Sequence, residues 1–133
     1  MRRVTLDSNI YISAFVFGGK PLQLLEMAID GEIAVAISDA IVEEVVGVLE
    51  AKFGWSRTRA NEARQTIRAF ADRVVPAESL DVIQVDPDDN RVVECAVAAG
   101  SDAIITGDAD LLALGSFRGI AVVRAADFLN RFR

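Results

Sequence analysis

Apolar and polar positions along the chain switch between two periods. Five short β-rich runs predict strands: "RVTLD" at 3–7, "IAVAI" at 33–37, "DVIQV" at 81–85, "AIIT" at 103–106 and "IAVV" at 120–123. Between them, apolar residues at helical spacing predict helices over 8–17, 21–31, 39–53, 57–74, 88–100, 109–114 and 125–132. Gly18, Gly19, Lys20 and Pro21 separate the first two helices, since glycine permits the turn and proline suits a helix start. Strands alternating with helices predict an α/β fold, a parallel sheet with helices on both faces. No repeat, low-complexity tract or linker interrupts residues 1–133, so a single domain is expected.

Composition narrows the chemistry. With 52% hydrophobic residues in 133, the chain can enclose a core of its own. It opens with no charged-then-apolar signal segment, and no apolar run approaches the roughly 20 residues of a membrane helix. A soluble, cytoplasmic protein without membrane contact is therefore expected. The single cysteine, Cys95, lies among apolar residues in "VVECAVAAG" and reads as a small buried side chain. Histidine is absent, which removes Ser-His-Asp and Cys-His catalysis and histidine-ligated zinc together. Any catalysis must use carboxylates, hydroxyls, lysine or arginine.

The formal charge of −6 disfavours indiscriminate binding to nucleic acid. One stretch departs from it: Lys52, Arg57, Arg59, Arg64 and Arg68 face a single acid, Glu62. It is either a solvated helix face or a candidate contact for phosphates.

In an open parallel sheet, ligands bind beyond the carboxyl ends of the strands. Asp7 and Asp108 each follow a predicted strand, where an aspartate can also cap the next helix. In "VDPDDN", Asp86, Pro87 and Asp88 suit a helix start, but Asp89 is in line with Val92, Val93 and Ala96 and so points toward the core. Glu44 borders the stripe of Ile41, Val45 and Val48, whereas Glu43 shares the opposite face with Asp39 and Glu50. Four carboxylates at one sheet edge would repel one another without a cation, and an all-oxygen set suits Mg²⁺ or Mn²⁺. Such a cation can acidify a water and offset charge on a phosphodiester, so the chemistry implied is metal-assisted phosphoryl hydrolysis.

"LDSNIYISAFVFGGKP", "ISDAIVEEVVGVL", "DPDDNRVVECAVAAGSDAIITGDADLLAL" and "DFL", in that order, resemble the PIN-domain ribonucleases, particularly VapC-type toxins and related proteins of toxin–antitoxin systems. The resemblance implies a three-layer α/β/α sandwich with a parallel sheet of about five strands, usually dimeric. It implies an Mg²⁺- or Mn²⁺-dependent endoribonuclease acting on single-stranded RNA and paired with a small antitoxin. By the same resemblance Asp7, Glu44, Asp89 and Asp108 are the catalytic and metal-holding acids, Asp110 is an auxiliary acid, and Ser8, Asn9 and Thr106 support them. Lys52, Arg57, Arg59, Arg64 and Arg68 would then supply RNA contacts. Ser8 and Gly107 stand where many such proteins have threonine and arginine.

Two alternatives accompany this reading. A phosphoacceptor receiver domain has the same size and an acidic pocket, but needs a lysine after its last strand, where this chain has Arg124. A PIN fold kept only to bind a partner would need no metal.

Overall fold

A computed structural model describes residues 1–132. The elements run β1 (Arg2–Leu6), α1 (Ser8–Val16), α2 (Gly19–Ile29), β2 (Ile33–Ile37), α3 (Asp39–Phe53), α4 (Arg57–Phe70), β3 (Asp72–Arg73), α5 (Asp89–Ala99), β4 (Ala103–Ile105), α6 (Ala109–Leu114), β5 (Ser116–Phe117), β6 (Ile120–Val123) and α7 (Ala125–Phe132). The sheet has the order β3-β2-β1-β4-β6-β5, parallel except for the β5–β6 pair. Helices cover both faces, giving the α/β/α sandwich, with α5 lying across β1, β2 and β4. The receiver alternative ends here, because a receiver-type sheet has strand 2 at its edge and here β3 lies outside β2.

Central parallel strands are enclosed on both faces and therefore read as apolar runs. Val4, Leu6, Val35, Ile37, Ile104 and Ile105 are all buried against helix residues such as Ile41, Leu49 and Val93. Thr5 is the polar exception in β1, and its hydroxyl is satisfied by Ser101 Oγ at 2.9 Å. Cys95 is also buried, and burial pushes its thiol up to about 11, so it is no nucleophile at neutral pH. No single helix among the described residues is long and apolar enough to cross a membrane.

The sheet departs from expectation in three places. Residues 81–85 form no strand, because side chains capture the amides that a neighbouring strand would have taken. Asn90 Oδ1 accepts the N–H of Val82 and of Ile83, each at 2.8 Å, and a Glu94 carboxylate oxygen accepts that of Leu80 at 2.7 Å. The outer edge of β2 is instead paired by β3, within residues expected to be helical. There α4 ends as Ala71 turns to extended backbone, and Arg73 fixes the new strand by gripping both carboxylate oxygens of Asp39, at 2.9 and 2.6 Å. Strand β5 closes a two-residue hairpin in which Arg118 (φ 49°) and Gly119 (φ 81°) both have positive φ, as a type I′ turn requires.

Chain direction positions the site. From β1 the chain moves to β2 and then β3 on one side, and later returns to place β4 on the other. The carboxyl ends of β1 and β4 thus flank the point where strand order reverses, which is where an α/β sheet opens a crevice.

Candidate functional site

Asp7 leaves β1 at that crevice and stands at the N-cap of α1. Its Oδ2 accepts the hydroxyl of Thr106 at 2.8 Å and its Oδ1 that of Ser8 at 3.3 Å. The Thr106 hydroxyl oxygen in turn accepts the backbone N–H of Asp108 at 2.9 Å. One threonine therefore couples the two acids, which is possible because β1 and β4 are neighbours. Asp108 is both cap and site member: its Oδ1 accepts the N–H groups of Asp110 and Leu111 at 2.9 and 3.0 Å.

Asp89 is the first residue of α5, whose packing over β1, β2 and β4 brings it to the same edge. It is buried, 8% exposed, and among the described residues its Oδ2 has no hydrogen-bond partner. An unpartnered carboxylate oxygen out of water is costly unless a cation or a proton meets it. One oxygen each from Asp89, Asp108 and Asp110 lie within 4.8 Å of one another. Asp110 thus belongs to the tightest part of the cluster.

Glu44 is half-buried on α3, beside Ser8 and Asp7. Burial raises its pKa first, the Ser8 side chain opposes the rise, and repulsion from Asp7, Asp88 and Asp86 adds to it. Asp7 is raised by burial despite the hydroxyls of Thr106 and Ser8. Asp89 is pushed to about 7 by burial and then by repulsion from Asp108, Asp86 and Asp7. All three shifts describe a pocket of negative charge in want of a positive one.

Asp86 and Asp88 were expected only to start the helix. Asp86 does hold a turn there, its Oδ1 accepting the N–H of Asp88 at 3.2 Å, but both acids also act on the site. The density of acids in "VDPDDN" was the available signal. Asn9 is exposed and acts on Asp7 through its backbone N–H. The basic segment divides. Arg64 pairs with Glu43 and Arg68 lies 4.0 Å from Asp39, so both serve the packing of α4 on α3. Lys52, Arg57 and Arg59 make no ion pair among the described residues, and the Arg59 guanidinium lies 3.9 Å over the ring of Trp55.

The Thr106 link gives a direct expectation. Thr106→Val keeps the shape but removes a donor from Asp7 and an acceptor from the Asp108 amide. Stability should fall by about 1–3 kcal/mol in thermal melts, and any metal affinity by roughly 10–100-fold. Thr106→Ser should recover most of both.

A family model described as PIN domain matches residues 3–110. The chain belongs to the PIN domain family. No curated protein matches its sequence. Solved structures do match its fold. VapBC2 from Rickettsia felis, bound to a DNA fragment from its promoter, aligns at 13% identity with a TM-score of 0.66, over 92% of this chain and 98% of that one. PAE2754 from Pyrobaculum aerophilum aligns at 16% identity and a TM-score of 0.59, over 98% of this chain and 89% of that one. VapC20 from Mycobacterium tuberculosis, described as a sarcin–ricin loop cleaving toxin, aligns at 15% identity and a TM-score of 0.58, over 89% of this chain and 98% of that one. At such identities these likenesses speak to the fold. Within this PIN domain, the acids at the ends of β1 and β4, the start of α5 and the inner face of α3 form the cluster.

Proposed function

We propose that this PIN domain is a divalent-metal-dependent endoribonuclease that hydrolyses phosphodiester bonds of single-stranded RNA, as the toxin of a toxin–antitoxin pair. The observation that carries the reading is the cluster of Asp89, Asp108 and Asp110, completed by an orphaned buried oxygen on Asp89 and by Asp7 through Thr106. The donor set is all oxygen and strongly negative, so it fits Mg²⁺ or Mn²⁺ rather than a soft metal. Asp7, Asp89, Asp108 and Asp110 would hold the ion, with Glu44 on the Ser8 side of Asp7. When bound, such an ion offsets charge on the scissile phosphate and makes a water easier to deprotonate.

The chain's own groups do the positioning. Thr106 and Ser8 hold the Asp7 carboxylate by hydrogen bonds to its two oxygens. The amides at the start of α6 fix Asp108 by one oxygen. Glu44, half-buried beside Ser8 and Asp7, has its pKa displaced upward by burial, with repulsion from Asp7, Asp88 and Asp86 adding to the rise. The RNA and antitoxin assignments draw support from fold relatives that are a VapBC complex and a loop-cleaving VapC toxin. An antitoxin-like partner would have to cover this edge to silence it.

The test is incubation of a mixed-sequence single-stranded RNA with purified protein in Mn²⁺ and in EDTA. Cleavage in Mn²⁺ alone, lost in Asp7→Asn, is the expected result. Cleavage that persists in EDTA or in Asp7→Asn would place the activity elsewhere.

A further inference from the structure

We propose that Phe17 and Phe53 form a stacking platform for bases of the RNA strand, set along α1 from the acidic edge. This inference rests on the ribonuclease reading and deepens it. The two rings meet edge to face, with centroids 6.1 Å apart and planes at 81°, yet stay 76% and 39% exposed. Behind them Phe15 packs on Trp55 in a second edge-to-face pair at 6.2 Å, and Arg59 covers the Trp55 ring. Phe17 is three-quarters exposed and meets Phe53 at the surface, so the pair presents ring area that core packing does not use.

Its surroundings select the ligand. Residues 52–60 carry Lys52, Arg57 and Arg59 and no acid, in a chain whose formal charge is −6. Lys20, near Phe17 at the start of α2, likewise makes no ion pair among the described residues. Glu50 is the acid that shares a groove with Arg57 between α3 and α4. Exposed aromatic rings edged by cations that have no carboxylate partner among the described residues are what a single nucleic acid strand needs, because rings stack on any base while cations follow the backbone. An apolar protein segment would find no complement to those cations. The distance also suits one strand: α1 has nine residues, so Phe17 lies about 13 Å along the helix from Ser8 at the site.

Trp55 is the sole tryptophan and reports on this face. In EDTA, titrating wild-type protein with a mixed-sequence single-stranded RNA of about 12 nucleotides should change Trp55 emission. Phe17→Ser with Phe53→Ser should bind the same RNA about tenfold more weakly, with an unchanged circular dichroism spectrum. Lys20→Gln with Lys52→Gln should keep the aromatic contribution and lower the slope of log affinity against log salt by about 1.4. A folded Phe17/Phe53 variant with wild-type RNA affinity would overturn the platform and leave this face to a protein partner, while metal-dependent cleavage by the wild type still stood. If wild-type protein neither binds nor cleaves RNA, both readings fall together.

Discussion

Asp89→Asn is expected to separate stability from activity: in EDTA at pH 8 the variant should melt several degrees above the wild type, while cleavage in Mn²⁺ falls about a hundredfold or more. The reason is the cost of the wild-type carboxylate. Unfolded, Asp89 ionises near 3.8; folded, burial and repulsion from Asp108, Asp86 and Asp7 move it to about 7. The folded state therefore holds a proton that the unfolded state has already released. The contribution of Asp89 to the stability of the metal-free protein is fully present below the unfolded value and is lost as pH rises through 7. Glu44 and Asp7, also raised, push in the same direction. Melting temperatures of the wild type in EDTA should thus fall between pH 5 and 8, and Asp89→Asn should flatten that slope. Mn²⁺ should reverse the trend in the wild type alone, since an ion bound only by the folded state stabilises it. A variant less stable than the wild type in EDTA, yet still cleaving RNA, would contradict this picture.

The second large effect is expected at Asn90, the neighbour of Asp89. Asn90 is 1% exposed and satisfies four backbone groups with one side chain. Its Oδ1 accepts the amides of Val82 and Ile83, and its Nδ2 donates to the carbonyls of Ile83 and Pro87, at 2.8 and 3.1 Å. No β-ladder runs through 81–85, so this side chain substitutes for one. Asn90→Ala would leave these groups unpaired, at a cost of about 2–4 kcal/mol, or about 10 °C in melting temperature. It would also release the segment that carries Asp86 and Asp88 to the site, so protease cleavage between 80 and 88 should accelerate. Asn90→Asp keeps the acceptor but sets a carboxylate oxygen against the Ile83 and Pro87 carbonyls and adds a buried charge beside the acids, so at pH 8 it should be no more stable than Asn90→Ala. A wild-type melting curve for Asn90→Ala would show that other contacts hold the segment.

What the sequence discloses about this molecule follows the length of the signal. Strands β1, β2, β4 and β6 each carry a short apolar run that is wholly or largely buried, and the longer helices between them repeat apolar positions over two turns or more. Strands β3 and β5 have two residues each and no pattern of their own. They exist because the edge of β2 and the outer side of β6 had backbone groups to pair. "DVIQV" has the composition of a strand, but Asn90 and Glu94 lie along the chain from it and took its amides first. Such capture by side chains has no periodic trace.

The site divides in the same way. A strand ending in an aspartate places Asp7 and Asp108 at the carboxyl edge, and helical spacing turns Asp89 inward. Spacing does not say that Thr106 joins Asp7 to Asp108, because that link needs β1 beside β4. Nor does it separate Arg64 and Arg68, which face Glu43 and Asp39 on α3, from Arg57 and Arg59, which do not. The exposed pair of Phe17 and Phe53 is equally silent, since the residues are far apart in the chain and meet at the ends of two helices.

The most direct measurement is a titration of the wild-type protein and of Asp7→Asn with Mn²⁺, followed by electron paramagnetic resonance of the free ion at pH 7.5. The wild type should remove Mn²⁺ from solution saturably, and Asp7→Asn should bind it much more weakly while remaining folded. Saturable binding that Asp7→Asn leaves unchanged, or no binding at millimolar Mn²⁺, would contradict the claim that these acids are arranged to hold a cation.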